Sequence, residues 1–216
     1  MDNHSLNKNM IEGQIKPIGG MQPNIIEAFN LIDRDDFVPQ DLKNNSYSEK
    51  NLFLKRGRVV LKANLIAKII LALNISNEEN ILIIGSSTGY SSAILSKLAE
   101  TVISIEEDQE LLDFSEEAIK KNGIDNIMFI NNTMIDGCAD QGPFNAIIIE
   151  GVIDEVPEKI LNQLDQNGRL IAMINDEGIS KVIEYQKINN TFTSRFLFSC
   201  TAPKLKSFEK RKLFSF

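Results

Sequence analysis

Aliphatic residues fall at helical intervals in two early stretches of the chain and then gather into short continuous runs. In PNIIEAFNLID (23–33), Ile25, Ile26, Phe29, Leu31 and Ile32 follow mostly helical spacing behind a proline suited to a first helical turn. ANLIAKIILALN (63–74) repeats the pattern. From Asn80 onward, apolar runs at 81–84, 101–105, 126–130, 144–150 and 169–174 are interleaved with helical stretches at 91–99, 108–123 and 154–164. That alternation predicts an α/β fold with a doubly wound, mostly parallel sheet. Two further strands, 181–188 and 193–200, have only a turn centred on Asn189 and Asn190 between them, which predicts an antiparallel pair at the C-terminal end. With no internal repeat or linker, the expected organisation is one domain over 1–216. Its first part, 1–76, is a helical, substrate-side extension, and 77–216 is a ligand-binding core.

Charge narrows the partners. Over 216 residues the formal net charge is −7, and such a surface repels polyanions, so nucleic acid is not expected as a partner. The one basic cluster, Lys204, Lys206, Lys210, Arg211 and Lys212, reads as a solvated end. Cys138 and Cys200 have no paired Cys/His spacing, which argues against zinc or a disulfide framework and suits a reducing cytoplasm. His4, the only histidine, lies in a polar N-terminal segment, so a histidine-based triad is not expected. No stretch has the length of a membrane span or the form of a signal sequence.

Candidate chemistry begins at ILIIGSSTGY (81–90). Gly85 and Gly89 bound a turn just after the first core strand, where the backbone can approach a ligand closely, with Ser86, Ser87 and Tyr90 around it. Glu106 closes the next strand, seventeen residues past Gly89. A carboxylate there can accept two hydrogen bonds from a ribose diol, which points to an adenosine-containing cofactor. A dinucleotide and S-adenosylmethionine both remain. The G-x-G-x-x-G fingerprint fails at Ser87, and the N-terminal helices and trailing strands suit S-adenosylmethionine better. Ser87 fits such a loop provided its backbone angles are not left-handed.

Further motifs extend the pattern: GQIKP (13–17), FVP (37–39), ISIEED (103–108), GPFNAIIIEGVIDEVPEKILNQL (142–164), NGRLIAMI (167–174) and the run from Phe198 to Phe216 with its APKL and closing FSF. With the glycine loop, they resemble the protein-L-isoaspartate O-methyltransferases, in particular a divergent branch found in alphaproteobacteria. The resemblance implies a class I, Rossmann-like methyltransferase fold. It also implies S-adenosylmethionine as donor, S-adenosylhomocysteine as product and an L-isoaspartyl carboxylate in a peptide or protein as acceptor. Cofactor contacts are implied for Gly85, Ser86, Ser87, Gly89, Tyr90, Glu106, Glu107, Asn132 and Thr133.

The departures lie on the acceptor side. GRVVLKA (57–63) puts Val59 and Leu61 where the family carries Thr and Ser, leaving Arg58 or Lys62 to pair the acceptor carboxylate unless both are merely solvated charges. Asn132, Thr133 and Met134 replace a GDG that lies close to the adenine. Glu150, Gly151 and Val152 replace a TAA. Glu150 is either a carboxylate facing solvent at a strand end or a group beside the methyl-transfer site, and it joins Lys62 as a catalytic candidate. A different small acceptor, or a cofactor-binding protein without turnover, stays open as an alternative. No metal is expected.

Overall fold

A computed structural model describes residues 3–189 and 191–209. Helix α1 (Asn3–Met10) continues through a π-helical turn at Ile11–Ile15 and packs with α2 (Pro23–Leu31) and α3 (Ala63–Leu73). Between α2 and α3 lies a small hairpin of β1 (Leu52–Phe53) and β2 (Val59–Val60). Then come β3 (Asn80–Ile84), β4 (Thr101–Glu106), β5 (Ile127–Asn131), β6 (Phe144–Ile153), β7 (Leu164–Asp176), β8 (Ile179–Ile188) and β9 (Thr191–Cys200). They form one seven-stranded sheet in the order β5-β4-β3-β6-β7-β8-β9. The strands from β3 to β7 pair in parallel, while β8 and β9 are antiparallel, as the sequence predicts.

Strand β3 shows why the central strands carry unbroken aliphatic runs. Ile81 and Ile83 enter one core layer with α2, α3, α4 (Tyr90–Leu95) and α5 (Gln109–Lys121); Leu82 and Ile84 enter the layer on the opposite face. Successive side chains point to opposite faces, so a strand covered on both needs apolar residues at every position.

Several boundaries differ from expectation. The helix expected over 154–164 shrinks to α6 (Glu158–Leu161). Val156 precedes Pro157, a position that disfavours helical backbone, and Pro157 caps the helix by accepting the Ile160 N–H. Strand β6 therefore runs on to Ile153, and β7 begins at Leu164. The β7–β8 hairpin turns on Glu177 and Gly178, both at positive φ, the conformation that two-residue hairpin turns require. Asn189 also has positive φ; its neighbour Asn190 lies outside the described residues.

After β9 the chain crosses the carboxyl end of β6. Val152 donates to the Pro203 carbonyl and Leu205 donates to the Val152 carbonyl, both at 2.9 Å. Leu205 and Phe208 are buried in the second core layer. Leu205 lies where a side chain on Gly151 would sit, with its Cγ 2.5 Å from the position of a Cβ, so the glycine makes room for the crossing. Of the basic cluster, Lys204 pairs with Asp154 at 3.0 Å, and Lys210, Arg211 and Lys212 fall outside the described residues. Leu205→Ala is expected to lower the unfolding free energy by about 2 kcal/mol, the low end for a buried leucine because a terminal segment can settle into the space; urea unfolding measures it.

Candidate functional site

The sheet reverses its winding between β3 and β6, which places a crevice beyond their carboxyl ends. The loop Gly85–Gly89 lies there. Gly85 and Gly89 both take positive φ, at 80° and 81°. Ser87 takes it too, at 55°, so the condition set for it from the sequence is not met. A left-handed non-glycine residue costs roughly 1–2 kcal/mol. A hydrogen bond compensates: the Ser87 N–H donates to Glu106 Oε2 at 2.8 Å.

Glu106, at the end of β4, is fully buried and its two oxygens receive five donors. Oε1 accepts from Arg58 Nε (3.2 Å), the Glu107 N–H (3.0 Å) and the Asp108 N–H (3.2 Å). Oε2 accepts from Arg58 Nη2 (2.6 Å) and Ser87. Arg58 is 6% exposed, which overturns its reading as a solvated charge. The β1–β2 hairpin delivers it, and that hairpin is clamped to the start of α5: Arg56 donates to both Asp108 oxygens at 2.8 Å and to Glu110 at 3.0 Å. The Arg58 guanidinium comes to rest against Gly85, with Nη2 3.1 Å from where a Cβ would be.

The other predicted residues divide. Glu107 accepts from the Met134 N–H (2.7 Å) and from Ser207, tying the C-terminal crossing to the site. Asn132 donates to the Gly137 carbonyl (3.1 Å) and accepts from the Thr133 N–H (2.8 Å), and the Thr133 hydroxyl donates to Asp136. Both polar side chains thus brace their own turn. Val59 and Leu61 are buried in the first core layer. Lys62 begins α3 and is not brought to the crevice. Its N–H donates to Asn51 Oδ1 at 3.0 Å, and its charge is felt by Cys200, whose thiol burial pushes up to about 11.

Glu150 is 6% exposed at the edge of the crevice, which overturns the solvent-facing alternative. Burial pushes its carboxyl up to about 7, while a Ser91 hydrogen bond and the Arg58 charge pull downward. Beneath it lies a residue that sequence reasoning misses. Arg34 is fully buried, donates to the Ser46 and Leu61 carbonyls at 2.7 Å, and holds its guanidinium 4.7 Å over the Tyr90 ring. Tyr90 anchors the start of α4, and burial raises its phenol to about 12, so it stays protonated.

A cavity of about 310 Å³ opens beside Arg58, Glu106, Glu107, Met134, Leu205 and Ser207. A depression of about 490 Å³ at the opposite, amino-terminal edge of the sheet is lined by the paired charges Arg169–Glu79 and Arg195–Glu184, which leaves it little to bind with. The loop itself carries unmet hydrogen-bonding capacity. Ser86 Oγ, Ser87 Oγ, Thr88 Oγ1 and Arg58 Nη1 are buried without a protein partner. Each such group costs about 1–3 kcal/mol, a deficit that a polar ligand along the loop would relieve. The loop therefore fits the amino-acid end of S-adenosylmethionine. Glu106 fits the ribose only if Arg58 gives way.

Comparison with known proteins agrees with this geometry. Residues 5–200 match the family described as protein-L-isoaspartate(D-aspartate) O-methyltransferase. A Myxococcus xanthus protein-L-isoaspartate O-methyltransferase is 32% identical over 154 residues, covering 71% of this chain and 73% of that protein. One from Thermosipho melanesiensis is 29% identical over 181 residues, covering 82% and 91%. In fold, the chain superposes with a TM-score of 0.80 on a Plasmodium falciparum structure described as a putative protein-L-isoaspartate O-methyltransferase in complex with S-adenosyl-L-homocysteine; the two are 21% identical and the match covers 96% and 99%. A glycine loop, a strand-end carboxylate and a family match over almost the whole chain converge, and the chain belongs to the protein-L-isoaspartate(D-aspartate) O-methyltransferase family.

Proposed function

We propose that this chain is an S-adenosylmethionine-dependent protein carboxyl methyltransferase acting on L-isoaspartyl residues of peptides and proteins. The family match over residues 5–200 carries the reading. When bound, S-adenosylmethionine supplies an electrophilic methyl group: a carboxylate oxygen of the acceptor forms the new C–O bond as the C–S bond breaks, its electron pair going to sulfur. Because the acceptor is already ionised at neutral pH, the chain needs no general base, and having a single histidine is no obstacle. What the residues must supply is alignment and exclusion of water. Ser86, Ser87 and Thr88 would hold the donor's amino-acid end and Glu106 its ribose. Segment 1–76 contributes Arg58 to the acceptor side, and 77–216 contributes the donor side. The two free cysteines suit a cytoplasmic setting.

Two measurements test the reading. S-Adenosylhomocysteine titrated into the chain by calorimetry is expected to give saturable heat. Labelled methyl transfer is expected to an isoaspartyl peptide and not to its normal aspartyl counterpart. Saturable heat without transfer to the isoaspartyl peptide would remove the acceptor assignment, and no heat at millimolar ligand would remove the donor.

A further inference from the structure

We infer that Arg58 is an exchangeable occupant of the ribose position, leaving Glu106 when the donor binds and turning to the acceptor carboxylate. This rests on the donor reading above. A carboxylate offers about four lone-pair directions, and Glu106 already meets five donors. Three of them are backbone N–H groups of Ser87, Glu107 and Asp108, fixed by the loop and the start of α5. The remaining two, Arg58 Nε and Nη2, address the two oxygens side by side, as the two hydroxyls of a ribose diol would. The diol cannot bind in addition to Arg58, but it can replace Arg58 bond for bond.

Release gives the guanidinium somewhere to go. Nη1 already lacks a protein partner, and the guanidinium rests against Gly85 beside the Glu150 backbone, at the crevice rather than in the core. The neighbouring positions Val59 and Leu61 are buried and aliphatic, so Arg58 is the cation of its segment able to meet an acceptor carboxylate there; the Lys62 charge acts on Cys200 instead. Donor binding then precedes acceptor binding, because Arg58 is committed to Glu106 until the ribose takes its place. Arg58 thus sets both the order of binding and the preference for an anionic acceptor.

Calorimetry of the whole chain tests this. Arg58→Ala is expected to bind S-adenosylhomocysteine about tenfold more tightly than wild type or better, since the closed arrangement no longer withdraws competent molecules. Arg58→Lys, with one point charge in place of the fork, is expected to fall between. For the acceptor, wild type is expected to bind an isoaspartyl peptide only when saturated with S-adenosylhomocysteine, and Arg58→Ala is expected to raise the peptide KM on the order of tenfold. Should the alanine variant fail to fold, wild type alone still decides: the protected Arg58 Nε–H signal in nitrogen-15 NMR is expected to exchange faster once S-adenosylhomocysteine is bound. Equal binding by wild type and both variants, or an Nε–H signal that ligand leaves unmoved, overturns the exchange while leaving the donor reading intact. Peptide binding that ignores the donor overturns the acceptor role. Absence of binding by all three proteins overturns both readings together.

Discussion

Glu106→Ala is expected to abolish donor binding and to lower the unfolding free energy by about 3–5 kcal/mol, the range for removing one partner of a buried ion pair. The expectation follows from what remains. Arg58 would keep its charge at 6% exposure without the carboxylate that accepts its hydrogen bonds. The N–H groups of Ser87, Glu107 and Asp108 would lose their acceptor as well. Ser87 matters most among these, because the bond to Glu106 is what offsets its left-handed backbone. Glycine loop and strand-end carboxylate thus form one unit. Urea unfolding gives the loss, and pairing the substitution with Arg58→Ala tests its origin: the double variant is expected to be more stable than the sum of the single losses implies, since it removes both charges. A loss under about 1 kcal/mol would mean that the pair is open to water.

The sheet is legible in the sequence because burial on both faces leaves a mark that nothing solvent-facing shares. ILII at 81–84 and AIII at 146–149 can be little else than central strands, and the ends of such strands locate Gly85 and Glu106 without further help. Long-range partnerships leave no such mark. Arg58 stands in GRVV, where a charge scans as solvated, and its burial depends on a carboxylate 48 residues later. Arg34 stands in DRDD and scans the same way, yet it is the largest fully buried side chain among the described residues. Ser87 reads as a residue unsuited to positive φ because the compensating carboxylate arrives from another strand. Lys62, four residues past Arg58, parts from it because the chain turns from hairpin to helix between them. Periodicity reports which face a residue occupies, and says nothing of which distant group completes it.

Glu150 is expected to make the acceptor side sensitive to pH, and Glu150→Gln to remove that sensitivity. In the unfolded chain the carboxyl ionises at its ordinary value of 4.5; in the fold, burial holds the proton until about 7. Between those values the folded protein binds more protons than the unfolded, so raising the pH favours unfolding. At 1.36 kcal/mol per unit the full penalty is roughly 3 kcal/mol, absent below the lower value and complete above the upper. Glutamine keeps the shape and carries no charge. Its advantage over wild type is therefore expected to be near zero at about pH 4 and to grow to roughly 3 kcal/mol by about pH 8, measured by urea unfolding. The same titration reaches the chemistry. A neutral Glu150 leaves Arg58 to an incoming carboxylate, whereas an ionised one competes for that guanidinium and repels the acceptor. Peptide KM is expected to climb above about pH 7 in wild type and to stay flat in the glutamine variant. A stability difference that does not change with pH would show Glu150 ionising as a solvated carboxylate does, and the climb in KM would then need another titrating group.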